Sequence, residues 1–420
     1  MITKPNVYFV FPYRGIGGVP VLFVRIGEYL AKIGLIRAYF VDYLDGAMAK
    51  MRDPNLSELL AYSDDEFVSI PNKSFVVFQS MTPWSIFPQL KIGSCSHILF
   101  WNCHPLNLIP MPPGLRPLMQ RSVSFSRILF KTALKGWHYK VINFLEYLIS
   151  KNAIVFMDEN NLRATEEYLQ YAIPDPVFFP IPVDVFENSD LENEERKFGM
   201  GRPLRLAWVG RIVDFKFHIL KRTLLELAAI QASLPFPIEI KIIGEGEMLS
   251  ELKEVAGQLK DVKSTFINSI PSDELDIYLV DNVDLLLAMG TSALDGAKLG
   301  IPTILLDMSY KEVDSRYHYQ WLYRRHGFTL GDIINSSHLS GSCGSLTLRL
   351  LELNENFIFH AKRSKEYVLM NHDVKLEANK FLNYLLGTKA MWGEMKTRSL
   401  LDRGIVYTSK QLISEYMLNK

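Results

Sequence analysis

Residues 204–307 limit the fold more than any other part of the chain. Short runs rich in Val, Ile and Leu alternate there with amphipathic segments, the pattern of a parallel β-sheet wound with helices. Strands are predicted at 204–210, 238–244, 264–270, 283–289 and 302–307. Helices are predicted between them at 218–233, 247–259, 272–280 and 292–299. The third opens with Ser272 as a candidate cap and has Asp273 and Glu274 in its first turn. Sheets of this kind hold ligands beyond the C-terminal ends of their strands. The residues that follow each strand are therefore the first place to look for chemistry.

The first half repeats the rhythm less regularly, with strands predicted at 6–13, 36–43, 74–80, 97–104, 152–158 and 176–184. A chain of 420 residues exceeds one ordinary core. Residues 187–201, rich in Glu, Asn and Asp, suit a linker. The expected class is α/β, with two facing doubly wound, Rossmann-like domains at 1–190 and 202–385. A tail, 386–420, follows; helices are predicted at 376–386 and 411–418, joined by an irregular stretch.

Composition removes several function classes. Lys+Arg and Asp+Glu both total 46, so no global charge points to nucleic acid as a partner. Cys95, Cys103 and Cys343 are odd in number and lack metal or redox spacing, which fits a reduced compartment. Met1 to Pro5 lead straight into a predicted strand, so no signal peptide is expected, and no run reaches the roughly 18–20 apolar residues that span a bilayer. The expectation is a cytoplasmic protein, with room for a peripheral position on the inner face of the membrane.

Residues 111–150 allow that second location. Arg116, Arg121, Arg127, Lys131, Lys135 and Lys140 face one acid, Glu146, among large apolar and aromatic residues. Arg127, Lys131 and Lys135 are four apart and would share one face of a continuous helix. Such a face can rest on anionic lipid headgroups, and it can equally be the solvated side of an ordinary helix.

Candidate site residues fall at strand ends. The first strand runs into Gly15, Gly17 and Gly18 ahead of a helix carrying Leu22, Ile26, Leu30 and Ile33. Glycines there let backbone N–H groups approach an anion, or simply form a tight turn. Pro20 stands where the dinucleotide fingerprint needs its third glycine, which disfavours a nicotinamide site. The fourth strand presents His104 before Pro105. In the second half, Arg211 and Lys216 follow Gly210. A guanidinium fork and an ammonium suit a diphosphate, although each residue alone also reads as a surface cation. Gly290, Thr291 and Ser292 open a helix whose N–H groups can receive a phosphate. Asp295, one turn further in, can accept hydrogen bonds from ribose hydroxyls or only complement the helix dipole.

With these residues in this order, most of the chain resembles the glycosyltransferases of the GT-B fold, family 4. Gly15 to Gly18 look like that family's N-terminal glycine turn, and His104 like its donor-sugar histidine. Gly210, Arg211 and Lys216 look like its diphosphate-binding set, Gly244 and Gly246 like its next glycine turn, and Gly300 with Pro302 like its last strand entrance. The resemblance implies a retaining, metal-independent hexosyltransferase without a resident cofactor. It would move sugar from a nucleoside-diphosphate sugar to a saccharide or lipid-linked acceptor in surface polysaccharide or glycolipid biosynthesis. It also implies a last helix that crosses back to the first domain. One departure stands out. The family has two glutamates separated by seven residues, and counting places the second on Asp295 and the first on Leu287. Leu287 motivates the alternative of a non-catalytic GT-B-fold partner in a polysaccharide assembly complex. A sugar-nucleotide epimerase on the same double fold is a third class.

Overall fold

The computed structural model describes residues 4–15, 17–112, 114–185, 198–199, 201–259, 261–334 and 344–402. The chain divides into two compact units, one formed by Met1–Pro182 with Val374–Lys420, the other by Val183–Asp373.

In the first unit the order is β1 (Asn6–Val10), α1 (Gly18–Lys32), β2 (Arg37–Asp42), α2 (Ala47–Met51), β3 (Ser57–Ala61), β4 (Val68–Ile70), β5 (Phe75–Gln79) and β6 (Leu90–Ile92). It continues with β7 (His97–Asn102), α3 (Arg116–Arg121), α4 (Val123–Lys131), α5 (Lys135–Ser150), β8 (Ile154–Phe156) and α6 (Glu159–Leu169). Six strands form a parallel sheet in the order β3-β2-β1-β5-β7-β8, and β4 pairs with β6 beside it. Helices cover both faces, so the central strands are apolar along most of their length, as in Val7–Val10 of β1 and Phe75–Phe78 of β5. In β1, Val7 and Phe9 join the core that contains Leu22 and Ile26 of α1, while Tyr8 and Val10 join the core that contains Phe144 of α5.

The second unit runs β9 (Leu204–Val209), α7 (Asp214–Ile230), β10 (Ile238–Ile243), α8 (Leu249–Gly257), β11 (Lys263–Ile267), α9 (Ser272–Asn282), β12 (Leu285–Ala288), α10 (Thr291–Ala297), β13 (Thr303–Leu305), β14 (Gln320–Trp321), α11 (Leu346–Glu355) and α12 (Phe357–Asn371). Its sheet order is β11-β10-β9-β12-β13-β14, parallel except for β14. The chain then returns to the first unit through α13 (Val374–Gly387) and α14 (Trp392–Thr397).

That return begins earlier than the tail at 386 expected from sequence. Val374, Ala378, Phe381, Leu382 and Leu385 form a buried stripe at helical spacing within the first unit's core. Phe381 stacks on Trp101 of β7 with ring centroids 4.9 Å apart. Beyond it, the Ala390 carbonyl accepts from Ile98 N–H, and Trp392 and Met395 enter the other core. Residues 374–385 therefore belong to the first unit because their apolar face is buried there.

Other differences have local causes. The predicted strand at 176–184 makes only isolated bridges, Phe156 with Phe178 and Val183 with Asp373, since Pro176, Pro180 and Pro182 remove ladder donors. Lys135 does not continue the helix of Arg127 and Lys131, because a turn at 132–134 separates α4 from α5. Helix α9 is preceded by Pro271 as its cap, with Ser272 its first helical residue. The predicted helix at 411–418 and most of the predicted linker lie outside the described residues.

Candidate functional site

In the second unit the site residues gather where β9, β10 and β12 end. The ends of β9 and β10 are held together by backbone passing very close to backbone. Gly210 N–H donates to Ile243 O at 3.0 Å, and Ile212 N–H donates to Glu245 O at 2.9 Å. Gly244 has φ +141°, and a Cβ there would collide with the Gly210 carbonyl oxygen. Only glycine satisfies both conditions. Gly210, at φ +145°, leaves open the space directly above the sheet edge. A methyl group on it would lie 3.3 Å from Lys216 Nζ and 3.8 Å from Ser292 Oγ, so these two side chains converge over its backbone.

Lys216 is held in an electrostatically unfavourable place. It occupies the first turn of α7, where the helix dipole opposes a cation. Burial, and then the neighbouring Arg211 charge, lower its pKa from 10.5 to about 8. Its ammonium lies 5.5 Å from the Trp208 ring centroid and 5.9 Å from that of Phe215, contacts that return part of the lost hydration. Arg211 is exposed on the same loop. Among the described residues neither cation is paired with a carboxylate. Two neighbouring cations with no carboxylate partner among the described residues have the chemistry to receive a compact anion of more than one negative charge.

Helix α10 supplies the third side. Gly290 caps it at φ +65°, and its own N–H is fixed to Leu330 O at 2.7 Å. Thr291 and Ser292 are the first helical residues, whose N–H groups have no acceptor within the helix. Asp295 lies further in and half-buried, 3.8 Å from Lys298 Nζ, which binds Asp276 more closely at 2.8 Å. Leu287 lies inside β12, fully buried in the core and paired in register with Trp208 and Ile304. Only Met289 and Gly290 connect β12 to α10. Counting back from Asp295 thus lands within the strand, because this loop is too short to place a side chain at that spacing. Leu287 is a core residue.

In the first unit, Gly17 caps α1 in an extended conformation and Gly18 is its first residue, with no side-chain cap and no acid in the first turn. His104 follows β7 and is open to solvent, although many protein atoms crowd its ring. That desolvation, and then the Arg116 charge, lower its pKa, so the imidazole is neutral at physiological pH. Nδ1 accepts the Leu106 N–H at 3.2 Å, which leaves the proton on Nε2. Both features lie on one edge of the sheet, since β1 and β7 are parallel and separated only by β5.

Sequence reasoning missed the residues that brace these loops. Asp42, fully buried at the end of β2, accepts from Tyr13 N–H (2.7 Å), Tyr43 N–H (2.8 Å) and Met48 N–H (2.7 Å), tying the glycine turn to α2. Trp208, read only as a strand residue, donates its indole N–H to Gly210 O at 3.3 Å. The one available signal was an acid at the polar end of an apolar strand.

Two doubly wound units spanning most of the chain, with the chain end returned to the first, define the GT-B fold. The structures it resembles include a glycosyltransferase from Rickettsia africae ESF-5, at 10% identity over 91% of this chain and 98% of that one, with TM-score 0.51. The pneumococcal O-GlcNAc transferase GtfA in complex with UDP and GlcNAc is similar at 10% identity over 91% and 99%, TM-score 0.51. WaaG, a glycosyltransferase involved in lipopolysaccharide biosynthesis, is similar at 14% identity over 91% and 100%, TM-score 0.50. No protein-family model and no curated protein matches the sequence.

Proposed function

We propose that the protein is a retaining, metal-independent glycosyltransferase that moves a hexosyl group from a nucleoside-diphosphate sugar to a saccharide or lipid-linked acceptor. The observation that carries this assignment is the pair of cations Arg211 and Lys216, without a carboxylate partner among the described residues, beside the start of α10. As the glycosidic bond breaks, negative charge grows on the departing diphosphate. Lys216 and Arg211 meet that charge as fixed cations, and the N–H groups of Thr291 and Ser292 meet it as oriented donors. Asp295 accepts from the ribose, and the neutral His104 offers Nε2–H to a sugar hydroxyl. Gly17 and Gly18 leave the start of α1 open for a further anionic group of donor or acceptor. The GtfA structure holds UDP and GlcNAc, so UDP-sugars are the first donors to test. Leu287 gives no support to a non-catalytic role, being a core position.

The acceptor is assigned to surface polysaccharide or glycolipid synthesis, reached at the cytoplasmic face of an anionic membrane through residues 111–150. Leu118, Ile128 and Tyr139 are 52%, 60% and 65% exposed there, interspersed with Arg116, Arg121, Lys131, Lys135 and Lys140. Arg127 is instead engaged with Glu167 at 3.6 Å. Among the described residues no helix is long and apolar enough to cross a membrane.

Incubation with a panel of UDP- and GDP-sugars should give donor hydrolysis or transfer, abolished by Lys216→Ala and by Arg211→Ala. Absence of both turnover and nucleotide binding in the wild type would refute the assignment. Co-sedimentation should occur with phosphatidylglycerol vesicles and not with phosphatidylcholine, and Lys131→Glu with Lys135→Glu should abolish it. Equal binding to both vesicle types, or to neither, removes the membrane face.

A further inference from the structure

Outside the cation site, a cluster of polar side chains surrounds Asp307, a buried carboxylate two residues past β13. Oδ1 accepts from Asp332 N–H at 2.7 Å and from the Arg325 guanidinium. Oδ2 accepts from the Tyr317 hydroxyl at 3.0 Å, whose oxygen in turn accepts Asp307 N–H at 3.1 Å. Burial and the Asp307 charge push the Tyr317 hydroxyl well above its ordinary range, so it stays a neutral donor. A core that needed only to be filled would not hold a carboxylate with this many dedicated partners.

From that carboxylate two short backbone paths lead to the two sides of the cation site. One runs from Asp332 back two residues to Leu330, whose carbonyl holds Gly290 N–H at 2.7 Å and so fixes the turn that opens α10. Between them, Gly331 at φ +115° packs against the Leu306 carbonyl and the Met289 side chain, leaving the segment little slack. The other runs forward to Ser309, whose N–H donates to Phe215 O at 2.8 Å, one residue before Lys216. The Phe215 and Tyr310 rings lie 6.0 Å apart along the same path.

We infer that Asp307, with Tyr317 and Arg325, is a positioning group for the donor diphosphate: it fixes the distance between Lys216 and the start of α10. This rests on the donor-site assignment above. Asp307 touches no reacting atom, and it acts through Leu330 on one side and Ser309 on the other. Because a diphosphate must contact both sides at once, a small loosening costs affinity even when each side keeps its own fold.

The experiment measures UDP and GDP affinity by calorimetry and, with the active donor, donor KM against acceptor KM. The proteins compared are the wild type, Asp307→Asn, Tyr317→Phe and Lys216→Ala. Asp307→Asn keeps the shape and removes the charge that holds Arg325; it should weaken nucleotide binding about tenfold or more and raise donor KM with acceptor KM unchanged. Tyr317→Phe removes one hydroxyl, keeps the ring in the core, and should weaken binding about three- to tenfold. It carries the test if Asp307→Asn fails to fold. If Lys216→Ala weakens binding while Asp307→Asn and Tyr317→Phe leave it unchanged, the positioning role is overturned and the donor site stands. If Lys216→Ala also leaves binding unchanged, the donor site itself is overturned.

Discussion

Lys216→Met should make the protein more stable while removing its affinity for nucleotide. The folded chain holds this ammonium in a crowded place beside Arg211, and its pKa falls from 10.5 to about 8. Each tenfold loss of proton affinity is worth about 1.4 kcal/mol, so keeping Lys216 charged at neutral pH costs the folded state about 3 kcal/mol. The sign follows from proton counting. Between about pH 8 and 10.5 the unfolded chain holds a proton at this site that the folded chain has released, so stability rises with pH across that window. Met has no such cost at any pH. Chemical denaturation of both proteins in parallel should show the variant ahead by about 3 kcal/mol at pH 7, with the gap narrowing toward pH 10.5. Packing differences between Met and Lys shift the gap by a constant, so its change with pH is the measured quantity. In the wild type, affinity for UDP and GDP should decline once pH passes about 8, as the ammonium is lost. A gap that stays constant as pH rises from about 8 to 10.5 would refute the claim that Lys216 is held as a strained cation.

Gly244→Ala should lower stability by about 3 kcal/mol and separate β9 from β10 at the site, because the new methyl meets the Gly210 carbonyl and its φ of +141° is strained; thermal melts and nucleotide calorimetry read both effects. Asp42→Ala should cost about 3 kcal/mol, since the N–H groups of Tyr13, Tyr43 and Met48 lose their acceptor. Hydrogen exchange should show faster exchange at those three amides. Ending the chain after Gly387 should destabilise the first unit by about 4 kcal/mol through loss of buried Trp392 and Met395, visible as a lower first transition on heating.

How legible the molecule is from sequence depends on whether a signal is local. In the second unit, apolar runs such as 204–209 and 238–243 are bounded by glycines and separated by helices of ordinary length, so periodicity alone locates them. Strand β3, with Glu58 as its second residue, has no comparable run, and its strand state comes from register with β2. Helix α13 is plain as a helix, but its assignment to the first unit depends on the stacking of Phe381 on Trp101, a pairing across 280 positions that no local pattern encodes.

The candidate site divides along the same line. Gly210, Arg211, Lys216 and Ser292 are visible because strand-end loops carry unusual residue types, and a strand end can be found in sequence. Invisible are the groups that make those residues hold still. Asp42 and Asp307 look alike in sequence, each an acid closing an apolar strand, and nothing local distinguishes a brace from a surface carboxylate. The distinction appears only when their acceptor oxygens are found filled by Tyr13, Tyr43 and Met48 in one case, and by Tyr317, Arg325 and Asp332 in the other. Leu287 is a related case: counting back from Asp295 crosses a loop of Met289 and Gly290 alone and lands inside β12. Under the proposed function, a short, backbone-pinned loop would leave oriented N–H groups, and no side chain, to face the donor. Discrimination between donor sugars should then depend more on residues outside this loop, with the loop itself reading only the diphosphate common to all of them.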